Sequence, residues 1–345
     1  MSRYLEERER YFLIKIVSEY IELAEPISSR HLSKLDDVDL SAATIRNIML
    51  NLTEKGFLIQ PHTSAGRIPS DLAYRMYVDH IEGTTSLEKE PILDKANPFH
   101  INMGIDDILK ESLALLSDGT SCASLATTPD PACLKLKSIE FLKISRKRVL
   151  TILVTESGIV KTKTITPRED LPALFLTELG SSLTKFYEGL PINKLQDNLL
   201  QTLSGKDFGL DDHMFAHAVR LSKKALDWSQ SYSMMLHGQT HVMNWFECTS
   251  KHEINKICQE IEDGNNLVKA MDNHHQLNRA YFKIGNEIKL DVLTECSLVI
   301  ANYGIHEDKV GTIGVIGPKR MDYKKIASLV EHLASVISNN FQDDY

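Results

Sequence analysis

The chain has 345 residues, 42% hydrophobic and 25% charged, with a formal net charge of −8. It is too long for a lone binding module and suggests two or three globular domains, while no apolar run approaches the ~20 residues of a membrane span. The charged first ten residues lead into no long apolar signal region, and the five cysteines form no CxxC pair, so a cytoplasmic, thiol-reduced protein is expected. An acidic balance argues weakly against nucleic-acid binding, although local charge placement, not the total, sets a docking surface.

Residues 4–23 are predicted as a first helix with an apolar side of Tyr11, Leu13, Ile14, Val17, Tyr20 and Ile21. Glu25-Pro26 should end it, because proline disfavours helix at the preceding residue. After Pro26, Ser28-Ser29-Arg30-His31-Leu32 starts a short helix, with Leu32 and Leu35 as its apolar contacts. A polar turn containing Asp36, Asp37 and Asp39 delivers the chain to Ser41, a plausible N-cap for a second helix. There Ile45, Ile48, Met49 and Leu52 recur at helical spacing, and Gly56 supplies a stop. Thr44, Arg46, Asn47 and Asn51 fall mostly off that stripe.

This layout suits a helix that enters a major groove: one face is anchored, and the other carries short donors and an arginine. Arg46 could reach guanine or phosphate, Asn47 could pair with adenine, and Thr44 suits a thymine methyl or a phosphate. An ordinary amphipathic helix would share much of the pattern. The flanks favour the sharper reading, because helix, turn and second helix follow in the order of a helix-turn-helix. Phe57-Leu58-Ile59 then reads as a short strand, Pro61 to Gly66 as a turn-rich tip, and Arg67-Ile68 as the return. Such a wing could set His62, Thr63, Ser64 and Arg67 against phosphate or the minor groove. Pro69 suits the first turn of a third helix, packed onto the module by Tyr74, Tyr77, Val78 and Ile81.

Residues 82–100 are polar and turn-prone, with Gly83, Pro91 and Pro98, and read as a connector. An amphipathic helix is predicted over 102–116, with Ile105, Ile108, Leu109, Leu113 and Leu116 inward. Residues 117–131 look small and turn-rich. Three strand-like runs at 136–144, 149–155 and 159–165 have the spacing of an antiparallel meander. The Arg146-Lys147-Arg148 cluster between the first two fits a solvated hairpin tip better than a second nucleic-acid patch. Helices are expected at 171–187, 213–228 and 251–262, with possible strand around 240–246. Strands at 281–284, 297–302 and 312–316 and a helix at 323–338 complete the chain. Two α/β portions thus flank a mainly helical segment, which a domain split by an insertion explains.

The phrases EPISSRHL, LSAATIRNIMLNL, PHTSAGRIPSDLAYRMYVD and, far downstream, GTIGVIGPKRMDY are long and ordered. They resemble the heat-inducible transcription repressor HrcA family over nearly the whole chain. The resemblance implies an α+β multidomain protein: an N-terminal winged helix-turn-helix, then a GAF-like α/β domain interrupted by a helical dimerising insertion. The boundaries expected are 1–82 for the winged helix, 83–100 for a linker, 101–190 and 266–345 for the GAF-like halves, and 191–265 for the insertion. Residues 41–52 become the recognition helix and 60–68 the wing. The resemblance further implies a homodimer on an inverted-repeat operator upstream of chaperone genes, released by heat, with a GroEL-type chaperonin helping to maintain active repressor. Ser28 stands where the family usually has glycine, Leu50 and Thr53 replace acidic or polar positions, and Lys319 replaces a small residue. Leu50 and Thr53 are expected to lie off the base-reading face.

Enzymatic signatures are sparse. His213 and His217 are four apart on a predicted helix, near Asp211 and Asp212, but HExxH and further ligands at defined spacing are lacking. His237, His241, His274 and His275 are equally unanchored. Gly311, Gly314 and Gly317 are spaced by three and match neither GxGxxG nor GxxxxGK[ST], so they read as a core strand. No nucleophile elbow is present, and nothing local activates Cys122 or Cys133. The expectation is a non-enzymatic repressor without cofactor or metal. A small-molecule-responsive winged-helix regulator is the alternative, and an adaptor that kept its winged helix for protein binding is a third.

Overall fold

A computed structural model describes residues 5–62, 65–83, 104–128, 134–156, 158–192, 212–226, 234–245, 251–271, 276–305 and 308–340. Helix α1 (Glu7–Leu23) ends at Ala24, whose backbone is left-handed at φ 59°. Its buried stripe is Phe12, Leu13, Ile16 and Val17, not the expected row through Tyr11 and Ile14. Tyr11 is 45% exposed, and its hydroxyl donates to Asp37 at 3.1 Å. The amphipathic tyrosine takes the polar edge because a hydrogen-bond partner waits there. Helix α2 (Ser29–Leu32) is a single turn capped by Ser28, whose Oγ accepts from the His31 N–H at 3.1 Å. Helix α3 (Ala42–Glu54) is capped by Ser41 and buries Ile45, Ile48, Met49 and Leu52 as the periodicity predicts.

Strands β1 (Leu58–Ile59) and β2 (Ile68–Pro69) pair antiparallel. Ile27 and Arg67 exchange reciprocal backbone hydrogen bonds of 2.9 and 2.8 Å, which tie the hairpin to the start of α2. Gly66 makes that approach possible, since a Cβ there would lie 2.3 Å from the Ile27 carbonyl oxygen. Pro69 sits on β2 and does not open a helix. Ser70 turns the chain instead, donating from its N–H to Phe57 O and from its hydroxyl to Gly56 O. Helix α4 (Asp71–Gly83) follows.

Helix α5 (Ile105–Thr120) buries Ile108, Leu109, Leu113 and Leu116. The expected loop at 117–131 instead contains strand β3 (Ala123–Thr127), buried along its length. Its alanines and serine lack the bulky β-branched signature of a strand, but small side chains fit a crowded sheet interior. Strand β3 lies second in a five-stranded antiparallel sheet of order β7-β3-β10-β9-β8. The other members are β7 (Met234–His237), β8 (Ala280–Ile284), β9 (Cys296–Ile305) and β10 (Asp308–Pro318). One face packs on α5 and on the last helix, α10 (Tyr323–Asn340); Val299, Ala301, Tyr303, Ile313 and Val315 line it. The other face, with Leu125, Leu298, Ile300 and Ile316, packs on α8 (Lys251–Asp263) and α9 (Asn265–Met271). Strand β7 comes before the strand expected at 240–246, where residues Gln239–Asn244 form a 3-10 helix.

The meander forms as expected from β4 (Leu136–Ser145), β5 (Arg148–Thr155) and β6 (Val160–Ile165). With α6 (Ala173–Tyr187) and α7 (Asp212–Leu226) it builds a core of its own, from Leu136 to Leu226. The cores therefore divide the chain differently from the expected insertion at 191–265. The separate core takes the meander, and β7, α8 and α9 belong to the five-stranded sheet. Strand spacing could not reveal this, because both sheets are antiparallel and partner choice is a matter of tertiary burial. The expected linker lies mostly at 84–100, outside the described residues.

Gly66→Ala should lower the stability of the N-terminal unit by about 1–3 kcal/mol through this backbone collision. Hydrogen exchange at the Ile27 and Arg67 amides would measure it; unchanged protection would contradict the role given to this contact. A second expectation concerns Glu9, which is 6% exposed and 2.5 Å from Lys55 Nζ. The Lys55 hydrogen bond holds its carboxyl below the ordinary carboxylate value, outweighing the opposing effect of burial. The resulting stability is present above the unfolded pKa of about 4.3 and is lost as pH falls through the lower folded value. Acid titration of helix content should thus show a shallower acid limb for Glu9→Gln; identical limbs would contradict this.

Candidate nucleic-acid interface

With the α3 stripe buried, its opposite face carries Ala43, Arg46, Asn47, Leu50 and Asn51, all exposed. Among the described residues no hydrogen bond or ion pair occupies the side chains of Arg46, Asn47 or Asn51. These donors and acceptors are available to an external partner. Thr44 lies at the edge of the face, half-buried, with its Oγ1 2.9 Å from Ser41 Oγ. Ser41 Oγ also accepts from the Thr44 N–H at 3.2 Å. Ser41 and Thr44 thus cap the helix and compose its N-terminal edge. Leu50 departs from expectation: it is 47% exposed and falls between Arg46, Asn47 and Asn51. A leucine there offers apolar contact, such as a thymine methyl requires.

Polar ties from α1 hold this face in place. Lys15 forms an ion pair with Asp37, in the turn between α2 and α3, and Tyr11 donates to the same carboxylate. The Lys15 hydrogen bond keeps the Asp37 carboxyl below the usual carboxylate range. His31 Nε2 on α2 lies 2.7 Å from Glu19 Oε2, and Lys55, just past α3, reaches Glu9. Tyr11, Lys15 and Glu19 are four apart on α1 and Glu9 shares the turn of Tyr11, so one helix braces both ends of the α2–α3 pair. Asp37 is thereby neutralised locally, and less acid faces an approaching polyanion.

In the hairpin, His62 is exposed, whereas Thr63 and Ser64 lie outside the described residues. Arg67 is half-buried and partly committed: its Nε donates to Thr53 Oγ1 at 3.0 Å. Thr53 therefore touches the hairpin, not solvent alone, and its Oγ1 donates onward to Met49 O. Its Nη1 also donates to Gly66 O at 3.4 Å, so Arg67 links the hairpin to α3. Arg30 and Lys34 are additional exposed cations, on and just after α2. Their signal was present in the first helix of the pair, the element that crosses a backbone in a helix-turn-helix.

The body arranges no catalytic set among the described residues. His217 Nε2 lies 3.4 Å from Glu169 Oε2, and no group of three or more potential metal ligands comes together there. The side chain of His213 and residues His274 and His275 fall outside the described residues. Burial pushes the Cys122 thiol up to about 11 and the Cys296 thiol up to about 12, the opposite of activation. Gly311, Gly314 and Gly317 lie on β10, inside the sheet. No described helix is long and apolar enough to cross a membrane.

Residues 106–327 match a family model described as the HrcA protein C terminal domain. The heat-inducible transcription repressor HrcA of Lachnoclostridium phytofermentans is 32% identical and aligned over 99% of each chain. The protein of the same name from Nitrosomonas eutropha is 33% identical over 97% of this chain and 99% of its own. A crystal structure of a hypothetical protein superposes with a TM-score of 0.63 at 23% identity, covering 99% of this chain and all of the other, a likeness in fold. The model match and these full-length relatives agree: the chain belongs to the HrcA family of heat-inducible transcription repressors.

Proposed function

We propose that the chain is a sequence-specific transcriptional repressor of heat-shock chaperone genes, which binds an inverted-repeat operator as a homodimer and releases it on heat stress. The observation that carries this reading is the α3 face: Arg46, Asn47 and Asn51 stand exposed and unoccupied over a fully anchored stripe. The unit from α1 to α4 is then a winged helix-turn-helix, with α3 as the recognition helix and the β1–β2 hairpin as the wing. Thr44, Arg46 and Asn47 read base edges, Ser41 and Asn51 flank them on the same helix, and His62, Thr63, Ser64 and Arg67 meet phosphate or the minor groove from the wing.

The five-stranded sheet with helices on both faces supports a GAF-like body. The unit built on the meander, with its own core, becomes the dimerising insertion. A two-fold dimer would present two recognition helices to the two halves of a symmetric site, so half-site spacing follows from protein geometry. A GroEL-type chaperonin would enter by maintaining the active fraction of a marginally stable body.

The direct test is selection of bound duplexes from a random library by folded dimer at stated salt. Recovery of a two-fold inverted repeat, matching sequence upstream of chaperone genes, is expected. Enrichment only on adding a metabolite would favour the small-molecule-responsive alternative, and no enrichment at all would favour the adaptor. Arg46→Ala should cost about 1–3 kcal/mol of operator affinity and relax selection at one position per half-site; a folded variant with unchanged affinity and selection would remove Arg46 from base reading. Operator binding should fall on mild heating and be restored by added chaperonin, followed as bound fraction against temperature. Flat binding through the heat-shock range in both conditions would argue against heat release.

A further inference from the structure

The N-terminal unit meets the body along α4, and the contact is anchored at three places. In the middle, Tyr74 and Tyr77 pack on Tyr323, with ring centroids at 6.0 and 6.4 Å, and Phe282 adds a third ring at 6.0 Å. Beside them Arg75 donates to Phe282 O at 3.2 Å and lies 3.3 Å from Glu287. On α1, Arg320 donates to Ile21 O at 3.1 Å, near the carbonyl end of that helix. The third anchor is the first residue of α4. Asp71 lies 2.6 Å from Lys319 Nζ, and Lys319 also reaches Glu295 at 3.3 Å. The Asn286 amide donates to the same Asp71 carboxylate at 3.4 Å. Gly285, at φ 51°, leaves room for it: a Cβ there would fall 2.3 Å from Asp71 Oδ2. A carboxylate from the N-terminal unit is thus seated in a cradle formed by the body.

All three anchors, through Tyr74, Arg320, Asp71 and Lys319, border one open space. A cleft of about 680 Å³ opens between the hairpin side and the body, lined by Ile59, Ile68, Leu72, Trp245, Pro318 and Arg320 among others. On that side the hairpin is not packed against the body. The tyrosine cluster, near the middle of α4, is the pivot of the joint. A tie at the end of α4 has the longer lever arm. Lys319 is only 17% exposed, so its attraction to Asp71 is less screened than that of a surface pair.

We propose that Asp71 and Lys319 are positioning residues for operator binding: their ion pair sets the angle at which the body presents α3, and with it the half-site spacing a dimer accepts. This rests on the repressor reading above. Neither side chain need touch DNA. Loss of the tie would leave each reading helix intact and free its orientation, so recognition of one half-site would persist while discrimination between spacings declined.

The experiment has a DNA-free arm and a DNA arm, on the full chain. Fluorophores carried by non-natural residues at positions 36 and 291, one on each unit, report the distance distribution between them. A single narrow distribution is expected for the native pair and for Lys319→Arg, and a broadened or displaced one for Lys319→Met and Asp71→Asn. In the second arm, symmetric operators differing by single base pairs in half-site separation are compared with an isolated half-site. About tenfold or greater preference for one spacing is expected of the native protein, falling to about threefold or less in Lys319→Met, with half-site affinity retained and Lys319→Arg restoring the preference. Thermal melting confirms that each variant is folded, and Asp71→Asn stands in if Lys319→Met is not. A folded charge-loss variant with native distances and native spacing preference would overturn the proposal. If the native protein selects no operator, the repressor reading fails, and the distance arm still decides whether the ion pair sets orientation.

Discussion

Helix α4 joins the N-terminal unit to the body in one core, and the arrangement of the molecule depends on that. One side, with Ala73 and Val78, closes over α1 and the hairpin; Tyr74 and Tyr77 reach the ring of Tyr323 on the last helix. Burial of large aromatic surface is worth several kcal/mol, so this joint is not a loose tether. The buried residues of the N-terminal unit and of one face of the five-stranded sheet consequently form one continuous cluster. A change in the body, whether thermal or conformational, has a physical route to the exposed face of α3.

Within the N-terminal unit, presentation of that face follows from division of labour on α1. Its apolar stripe supplies the floor on which α3 rests, and Glu9, Tyr11, Lys15 and Glu19 take up polar groups of α2, the turn and the end of α3. Truncating a stripe residue such as Leu52 would cost about 2–5 kcal/mol, whereas ion pairs open to solvent contribute far less. Packing therefore holds the unit together, and the ties select the orientation of α2 and α3. The same ties explain how an acidic chain can offer a surface to a polyanion. Asp37 is paired within the protein, while Arg46, Arg30 and Lys34 remain exposed.

The differences between expectation and structure share one cause. A sequence reports the period of its apolar residues but not which other surface they meet. Strand β3 was invisible because Ala123, Ser124 and Ala126 lack strand propensity, and the five-stranded sheet selects them for size. Strand β7, in the supposed insertion, completes the edge of that sheet beside β3. Leu50 looked like a neutral replacement, yet helix phase places it in the exposed row. Arg67 looked like a free cation until the fold brought Thr53 to its guanidinium.

What the sequence determined by itself was local: the Ser41 cap, the stripe of Ile45, Ile48, Met49 and Leu52, the polar row opposite, the meander, and the motifs that place the chain in its family. These depend on periods of 3.6 and 2 and on the chemistry of caps and turns, all short-range properties. Only the tertiary structure decided which strands share a sheet, which half of the chain owns the second core, and that α4 joins two units through Asp71, Arg75 and Tyr323. Those outcomes rest on contacts between residues hundreds of positions apart, such as Arg75 with Phe282 and Asp71 with Lys319. No local pattern encodes them, because Asp71, Arg75 and Lys319 are ordinary charged residues in the sequence and become half-buried only where the two units meet.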